Sequence, residues 1–415
     1  MTRIVLKFGG TSMGDLDRID RAARLTLAER RPGTSLAVVV SAMAGETNRL
    51  VALARGAAGE GLIGAAFDDE YDVIAAAGEQ VSAGLLALAL RRHGARARSW
   101  LGWQAPVRTD SAHSKARITD IDGSALIQAI EGGEIAVIAG FQGVDPEGRV
   151  STLGRGGSDT SAVAIAAAIG AARCDIYTDV DGVYTTDPRI VPKARRIARI
   201  SYEEMLEMAS LGAKVLQTRS VEMAMNWGVP VRVLSSFVEP GHDQPGTLVC
   251  SEDQIVEKHV VSAVAYSRDE ARVTILGLKD EPGRAARVFG LLAEANINVD
   301  MIVQSQSRQP GTANLLFTVA ENDADKAVAA LQPRQAELEF DAIDVRRDVA
   351  KVSVIGVGMR SHAGVAYAMF KALAAKGINI EAISTSEIKT SVLVDSQYTE
   401  LAVRALHNAY GLENG

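Results

Sequence analysis

Up to about Ser251, short β-branched runs alternate with long stretches rich in Ala and Leu. The runs Ile4–Phe8, Leu36–Ser41, Ile135–Phe141, Cys174–Thr178 and Val229–Ser235 read as strands. The segments Arg18–Arg30, Glu70–Arg92, Asp159–Ile169 and Tyr202–Trp227 read as helices. Strand and helix in alternation predict an α/β fold of three layers, a mainly parallel sheet with helices on both faces. Ligands of such sheets bind beyond the carboxyl ends of the strands. Gly-rich turns stand at those ends here: Gly9-Gly10, the stretch from Gly140 to Gly143, and that from Gly154 to Gly157.

The pattern changes after Glu239-Pro-Gly-His-Asp-Gln-Pro-Gly246, whose turn chemistry closes the sheet domain. Beyond it, one pattern occurs twice. The first copy runs Arg272-Val-Thr-Ile-Leu-Gly-Leu, a loop to Gly283, an amphipathic stretch Ala285–Ala295, then Ile297-Asn-Val-Asp300. The second runs Lys351-Val-Ser-Val-Ile-Gly-Val, a loop to Gly364, Val365–Ala375, then Ile378-Asn-Ile-Glu381. Phe289, Leu292 and Asn298 correspond to Phe370, Leu373 and Asn379. Each copy reads strand, glycine loop, helix, strand, which is half of a ferredoxin-like βαββαβ unit. Leu315–Val319 and Ser391–Val394 offer strands to complete them. The expected domains are therefore 1–250, 265–345 and 346–415, with strands open to exchange between the last two.

Composition excludes several classes. A chain of 415 residues holds two or three domains, and 47% hydrophobic with 23% charged residues is ordinary for a core-forming protein. A net charge of -7 argues against a nucleic-acid binder, which needs a basic face. Two cysteines, Cys174 and Cys250, are too few for a disulfide framework or a Cys-rich metal site and fit a reducing compartment. The first residues lack the apolar segment of a signal peptide. The longest unbroken apolar stretch, Ala162–Ala172, is shorter than the ~18 residues of a membrane span. A cytoplasmic protein with neither membrane nor nucleic-acid partner is expected.

The chain has no Gly-Lys dipeptide and hence no Walker A loop, and no G-x-G-x-x-G follows a strand. Its six histidines are scattered without metal-ligand spacing. Three other segments carry chemistry. Lys7-Phe-Gly9-Gly10-Thr11-Ser12 follows the first strand, where glycines let backbone N–H groups approach a phosphate and the lysine adds a point charge. Gly154-Arg155-Gly156-Gly157-Ser158-Asp159 opens an Ala-rich helix. Ser158 or Asp159 is expected to cap it, its N-terminus suits an anion, and Arg155 suits a carboxylate. Asp175 to Arg189 is an acidic, hydroxyl-rich loop without the closing Glu of an EF-hand.

Together these segments resemble the amino-acid kinase superfamily and, within it, the aspartate kinases. Ser41-Ala-Met-Ala-Gly-Glu-Thr47, Gly78-Glu79-Gln80, Phe141-Gln-Gly and Leu211-Gly-Ala-Lys214-Val-Leu match the same pattern, and the repeat resembles a pair of ACT domains. The resemblance covers nearly the whole chain. It implies transfer of a phosphoryl group from MgATP to the side-chain carboxylate of L-aspartate. Lys7 would neutralise charge on the transferring group, oriented by Asp159. Gly9, Gly10 and Thr11 would cradle phosphates, with Gly156 and Gly157 beside them and Ser41 near the nucleotide. Thr47, Glu79, Arg155 and Ser158 would hold aspartate, Glu79 facing its ammonium. Thr178, Asp179, Tyr184, Asp187, Arg189 and Lys214 would bind nucleotide.

A substrate carboxylate with an unperturbed pKa near ~4 is already ionised at neutral pH, so the reaction needs no general base. It needs positioning and charge neutralisation, with Mg²⁺ carried mostly by ATP phosphates and water. In the regulatory half, the resemblance implies lysine, threonine or both as effectors, and at least a homodimer formed through the ACT pair. Asp280, Gly283, Arg284, Ala285, Val299, Asp300 and Gln304 would line the first effector site. The second copy, Ser361-His-Ala-Gly364-Val-Ala366, lacks the Pro and Thr common at those places, so inhibition is expected to act mainly through the first. Sibling kinases of glutamate, N-acetylglutamate or a nucleoside monophosphate compete with this reading, as does an amino-acid sensor without activity. Thr47, Glu79 and the double tail weigh against the siblings, and the Lys7, Arg155, Asp159 and Lys214 set against the sensor.

Overall fold

Strand β1 (Thr2–Phe8) is buried from Ile4 onward, on both faces, which is why it reads as a continuous apolar run. In the computed structural model, which describes residues 1–59, 64–213, 215–242, 244–255 and 259–414, this strand lies inside an eight-stranded sheet. The other strands are β2 (Thr34–Val40), β3 (Ala97–Trp100), β4 (Ile135–Ala139), β5 (Arg173–Thr178), β6 (Arg199–Ser201), β7 (Val231–Ser235) and β8 (Thr247–Cys250). Their order is β6-β8-β7-β5-β1-β2-β4-β3, and only the β7–β8 pair is antiparallel.

Helices cover the sheet. Leu6, Phe8, Val38, Val40 and Val137 pack with Ile19 and Ala23 of α1 (Leu16–Ala28), and α2 (Glu46–Ala58) lies along α3 (Ala65–Arg92), which adds Leu86 and Leu90 to the same core. Further along come α4 (Ser124–Glu131) and α5 (Gly157–Ala168), the latter packed over β1, β2 and β5. Nearly all of α5 is buried, so its sequence is Ala-rich without an amphipathic stripe. The helix expected over Tyr202–Trp227 is two, α6 (Tyr202–Ser210) and α7 (Thr218–Trp227); Gly212, at φ +93°, lies in the break.

Helix α3 is apolar on average over a greater length than the longest unbroken stretch, though not itself unbroken. It begins at Ala65, earlier than predicted, and its 27 residues from Ala66 to Arg92 contain a window apolar enough to span a membrane. Half of that window is buried within the protein, and α3 also buries Asp72 and Glu79, which marks it as a core helix. A small sheet, Ile118–Ile121, Val107–Thr109, Gln142–Val144 and Val150–Thr152 in that order, completes this part of the chain. Its strands of three or four residues are too short to show a period, and none was expected.

The chain divides into two compact units. The first comprises Met1–Val183, Arg196–Ala209 and Lys214–Val256, and the second Tyr184–Arg195, Ser210–Ala213 and Glu257–Gly415. The second unit is built on β9 (Ala263–Ser267), β10 (Ala271–Lys279), β11 (Asp300–Gln306), β12 (Thr312–Val319), β13 (Ala342–Arg346), β14 (Val349–Ile355), β15 (Ala382–Thr385) and β16 (Lys389–Asp395). Helices α8 (Arg284–Glu294), α9 (Ala324–Leu331), α10 (Val365–Ala374) and α11 (Thr399–Ala409) cover them. The antiparallel sheet β11-β12-β10-β13 with α8 and α9 is a complete βαββαβ unit. Among the described residues the second copy supplies three strands of its own. Strand β9, from ahead of the first copy, takes the fourth place beside β14 and gives the order β9-β14-β16-β15.

Part of the acidic loop also belongs to this unit. Ile190 and Val191 join a core with Val352, Met369 and Leu406. Thr185 Oγ1 lies 2.9 Å from His407 Nε2, and the Val264 N–H donates to the Thr185 carbonyl at 2.8 Å.

Candidate active site

Lys7, near the end of β1, is buried, and its Nζ lies 2.5 Å from Asp159 Oδ1. Asp159 is free to make this pair because it does not cap its helix. The N-cap of α5 is Gly156, at φ +73°, with no side-chain capping bond. A cap by Ser158 or Asp159 was expected. The left-handed glycine instead starts the helix earlier and leaves both residues inside its first turn. Asp159 there favours the helix dipole as well as the lysine.

After Lys7 the chain turns through Gly9 and Gly10 into a short 3₁₀ turn, Gly10–Met13. A Cβ on Gly10 would sit 3.2 Å from the Ala42 carbonyl oxygen, a tight approach that a side chain could enter only if the Ala42 turn gave way slightly. Ala42 follows Ser41, whose N–H donates to the Phe8 carbonyl at 3.0 Å. Ala42 also abuts Gly78 of α3, where a Cβ would lie 2.7 Å from the Ala42 methyl. That glycine brings the helix in close enough for the Ala42 N–H to donate to Glu79 Oε1 at 3.0 Å.

Glu79 is 3% exposed, and its second oxygen, Oε2, is buried without a hydrogen-bond partner among the described residues. Burial drives its carboxyl up to about 7, against the pull of the Ala42 amide and the Lys7 ammonium. A buried carboxylate with one oxygen unmatched is a ready site for an incoming cation.

Ser158 is buried beside Gly140, where a Cβ would stand 3.0 Å from the serine Cβ. Gly156 and Gly157 are pressed against Gln217 and Phe141 respectively. Arg155 is exposed, with no ion-pair or hydrogen-bond partner among the described residues. Thr47 is half-buried in the first turn of α2, and Thr11 is exposed, its carbonyl accepting from Arg18 Nη1 at 2.6 Å. Thr178 ends β5, and its hydroxyl donates to Asp179 Oδ1 at 3.1 Å.

The structure thus gathers Lys7, Gly9, Gly10, Ser41, Glu79 and Asp159 into one polar cluster at the carboxyl ends of β1 and β2. Tyr184, Asp187 and Arg189 belong to the second unit. There Asp187 accepts from Arg189 Nη2 at 2.7 Å and from the Tyr266 hydroxyl at 3.2 Å, and the Arg189 pairing holds its carboxyl below the usual range despite partial burial. Lys214 lies outside the described residues. No group of three or more His, Cys, Asp or Glu among the described residues converges to hold a metal ion.

In the first repeat, Gly283 at φ +91° starts α8, with Ala285 in its first turn. Gln304 Nε2 donates to Asp280 Oδ1 at 3.4 Å, and Val299 packs on the module core. Arg284 is engaged, donating to Glu281 at 3.1 Å and pairing with Glu339. Asp300 already has a resident ammonium, as Lys351 Nζ lies 2.6 Å from its Oδ2 and 2.7 Å from Glu270 Oε1. Partial burial pushes the Asp300 carboxyl up, but Lys351 and the Met301 amide outweigh it and leave it below the usual range. Sequence reading missed Lys351 and Ala42; the only signal for the second was the Ser41-Ala-Met-Ala-Gly turn after a strand.

Residues 2–235 match the amino acid kinase family, and residues 273–334 and 352–410 match an ACT domain. An aspartate kinase of Pseudomonas putida is 50% identical over 414 residues, covering 100% of this chain and 98% of the relative. Aspartokinase 2 of Bacillus subtilis is 46% identical over 412 residues, covering 99% and 98%. Among solved structures, E. coli aspartokinase III in complex with aspartate and ADP, described as the R-state, superposes with a TM-score of 0.80 at 30% identity, over 98% of this chain and 99% of that one. The same enzyme with lysine and aspartate, described as the T-state, gives 0.75 at 30% identity over 98% of each. With an intact lysine–aspartate cluster in the kinase part and both regulatory repeats present, the chain belongs to the aspartate kinase family.

Proposed function

We propose that the polar cluster at the ends of β1 and β2 is where this aspartate kinase joins aspartate to the γ-phosphoryl group of ATP, with labour divided as follows. Glu79 receives the substrate ammonium on Oε2. Arg155 grips the α-carboxylate, and Thr47 and Ser158 complete the hold. An oxygen of the β-carboxylate, ionised without help, attacks the γ-phosphorus; the bond to the bridging oxygen breaks, and ADP leaves with that electron pair. Lys7, aimed by Asp159, offsets negative charge on the transferring group, while Gly9, Gly10 and Thr11 offer backbone N–H groups to phosphate oxygens. Gly156 and Gly157 let the start of α5 approach, and Thr178, Asp179, Tyr184, Asp187, Arg189 and Lys214 serve the nucleotide. Mg²⁺ would come with the ATP phosphates and water, where it would spread their charge. The observation that carries this reading is Glu79: one oxygen of its buried carboxylate holds the Ala42 turn, and the other, Oε2, is left without a partner among the described residues and matches an ammonium.

Regulation follows from the second unit. Lysine, threonine or both act at the first repeat, through Asp280, Gly283, Arg284, Ala285, Val299, Asp300 and Gln304; that the E. coli relative binds lysine supports lysine as an effector. The paired modules hold at least a dimer. Both cysteines are buried free thiols, which suits a reducing cytoplasm. The test is to incubate the protein with MgATP, L-aspartate and hydroxylamine, with and without lysine plus threonine. Aspartyl hydroxamate that falls when the amino acids are added is expected. Folded, ATP-binding protein that yields hydroxamate with glutamate and none with aspartate would overturn the assignment of Glu79, Arg155 and Thr47.

A further inference from the structure

One buried carboxylate, Asp72, gathers donors from several segments of the first unit, and no step above uses it. Asp72 lies on α3 seven residues before Glu79, on the same face two turns away. It is fully buried. The Ser114 N–H donates to both its oxygens at 3.0 Å, the Thr152 N–H to Oδ2 at 2.9 Å, and the Thr152 hydroxyl to Oδ1. His113 Nδ1 is 2.9 Å from Oδ2, and the other ring nitrogen of His113 is 3.6 Å from Asp145 Oδ2.

These donors come from two segments that meet at the substrate loop. Ser114, at φ +65°, holds a left-handed backbone that a serine seldom adopts, and in it the N–H reaches Asp72. Its carbonyl oxygen stands 3.1 Å from where a Cβ on Gly154 would lie. The Ala116 N–H donates to the Thr152 carbonyl at 2.8 Å, and Arg219 donates to the carbonyls of Leu153 at 2.7 Å and Ala116 at 2.9 Å. Thr152 and Gly154 thus lie against the 113–116 loop, Arg219 of α7 holds Leu153 between them, and Asp72 ties that loop to Thr152. The next residue is Arg155.

We propose that Asp72 is a positioning residue for aspartate: through Ser114 and Thr152 it fixes the step that presents Arg155. One face of α3 then sets both ends of the amino-acid grip, Glu79 by direct contact and Arg155 through the loop. The proposal rests on the reading that Arg155 holds the substrate. A carboxylate that only held the fold together would alter stability or the active fraction without singling out one substrate.

The experiment is steady-state kinetics with aspartate and ATP varied in turn, on Asp72→Asn, Thr152→Val, Thr152→Ser and Arg155→Ala. Thr152→Val keeps shape and N–H while removing the hydroxyl, so it carries the test if Asp72→Asn does not fold. The expected result is a KM for aspartate raised about fivefold or more in Thr152→Val, as for a lost hydrogen bond to a charged group, with the KM for ATP within about twofold. Thr152→Ser, which restores the hydroxyl, returns to within about twofold of the parent, and Arg155→Ala exceeds them all. If Arg155→Ala raises the aspartate KM and Thr152→Val leaves it unchanged, or shifts both KM values alike, the positioning role is overturned while the substrate reading stands. If Arg155→Ala leaves the aspartate KM unchanged, the substrate reading of Arg155 falls and the proposed route falls with it.

Discussion

Lys7 and Asp159 meet 2.5 Å apart, one from the end of a central strand and the other from the first turn of a buried helix, and both side chains are nearly closed to solvent. A buried ion pair contributes little to stability once desolvation is counted. Its proposed use is to hold an ammonium in one orientation where phosphate charge must be met. Lys7→Ala is expected to lower kcat about 100-fold or more, with the KM for aspartate changed only a few-fold, because the charge acts on the transferring group. Parallel kcat and KM determinations check this. An unchanged kcat removes Lys7 from the mechanism.

In the proposed role, Glu79 meets the substrate ammonium in its ionised form, and keeping it ionised in a buried place costs the fold. Its folded pKa of about 7 lies above the unfolded value, so between the two the folded protein keeps a proton that the unfolded chain has released. Stability from this group therefore falls as pH rises from the unfolded value to about 7, and the whole penalty is present above that. Glu79→Gln escapes the penalty. Its melting temperature at pH 8 is expected to exceed the parent's, by roughly 2–4 °C for each kcal/mol relieved, and the difference should vanish near pH 5. Calorimetry without ligands checks the sign.

Gly78 is where α3 meets the Ala42 turn. Gly78→Ala places a methyl 2.7 Å from that of Ala42 and forces the two apart. Overpacking of this kind costs about 1–3 kcal/mol, and it should loosen the Ala42–Glu79 hydrogen bond as well. Lower thermal stability together with a raised KM for aspartate is expected. A variant with parental values in both would show that the approach of helix and turn is not needed.

In the regulatory unit, Asp280 and Asp300 are the carboxylates proposed to meet an effector ammonium, and Lys351 already occupies one side of Asp300. Asp280→Ala combined with Asp300→Ala should abolish inhibition by lysine and threonine, each rate being compared with the variant's own uninhibited rate. Inhibition retained in full would place the effector elsewhere.

What the sequence disclosed follows from how much each element depends on its own residues. Strand β1 is buried on both faces, so its apolar run was plain. The two repeats showed themselves by matched residues such as Phe289 with Phe370. Strand β9 gave no sign of its partner, because pairing across the chain with β14 leaves no local pattern. The helix expected at Tyr202–Trp227 was divided at a break that holds Gly212, a lone glycine that did not stand out in an otherwise helix-compatible run. At the site, Lys7 and Asp159 were legible through the resemblance, while Gly156 as N-cap was not, since Ser158 and Asp159 are the commoner capping types. Asp72 was hidden altogether. A single acid on a long helix tells nothing of donors arriving from residues 113, 114 and 152.

The most direct test of the account is the pH dependence of kcat/KM for aspartate, in the parent and in Glu79→Gln. This quantity reports ionisations of the free enzyme and free substrate. The account predicts a fall as pH drops through about 7, where Glu79 takes up a proton and can no longer meet the substrate ammonium. It predicts that the fall moves to lower pH in kcat, because bound ammonium favours the charged carboxylate, and that it is absent from a much less active Glu79→Gln. A parent profile that stays flat between pH 6 and 8, or a Glu79→Gln profile that keeps the same fall, would contradict the role given to Glu79.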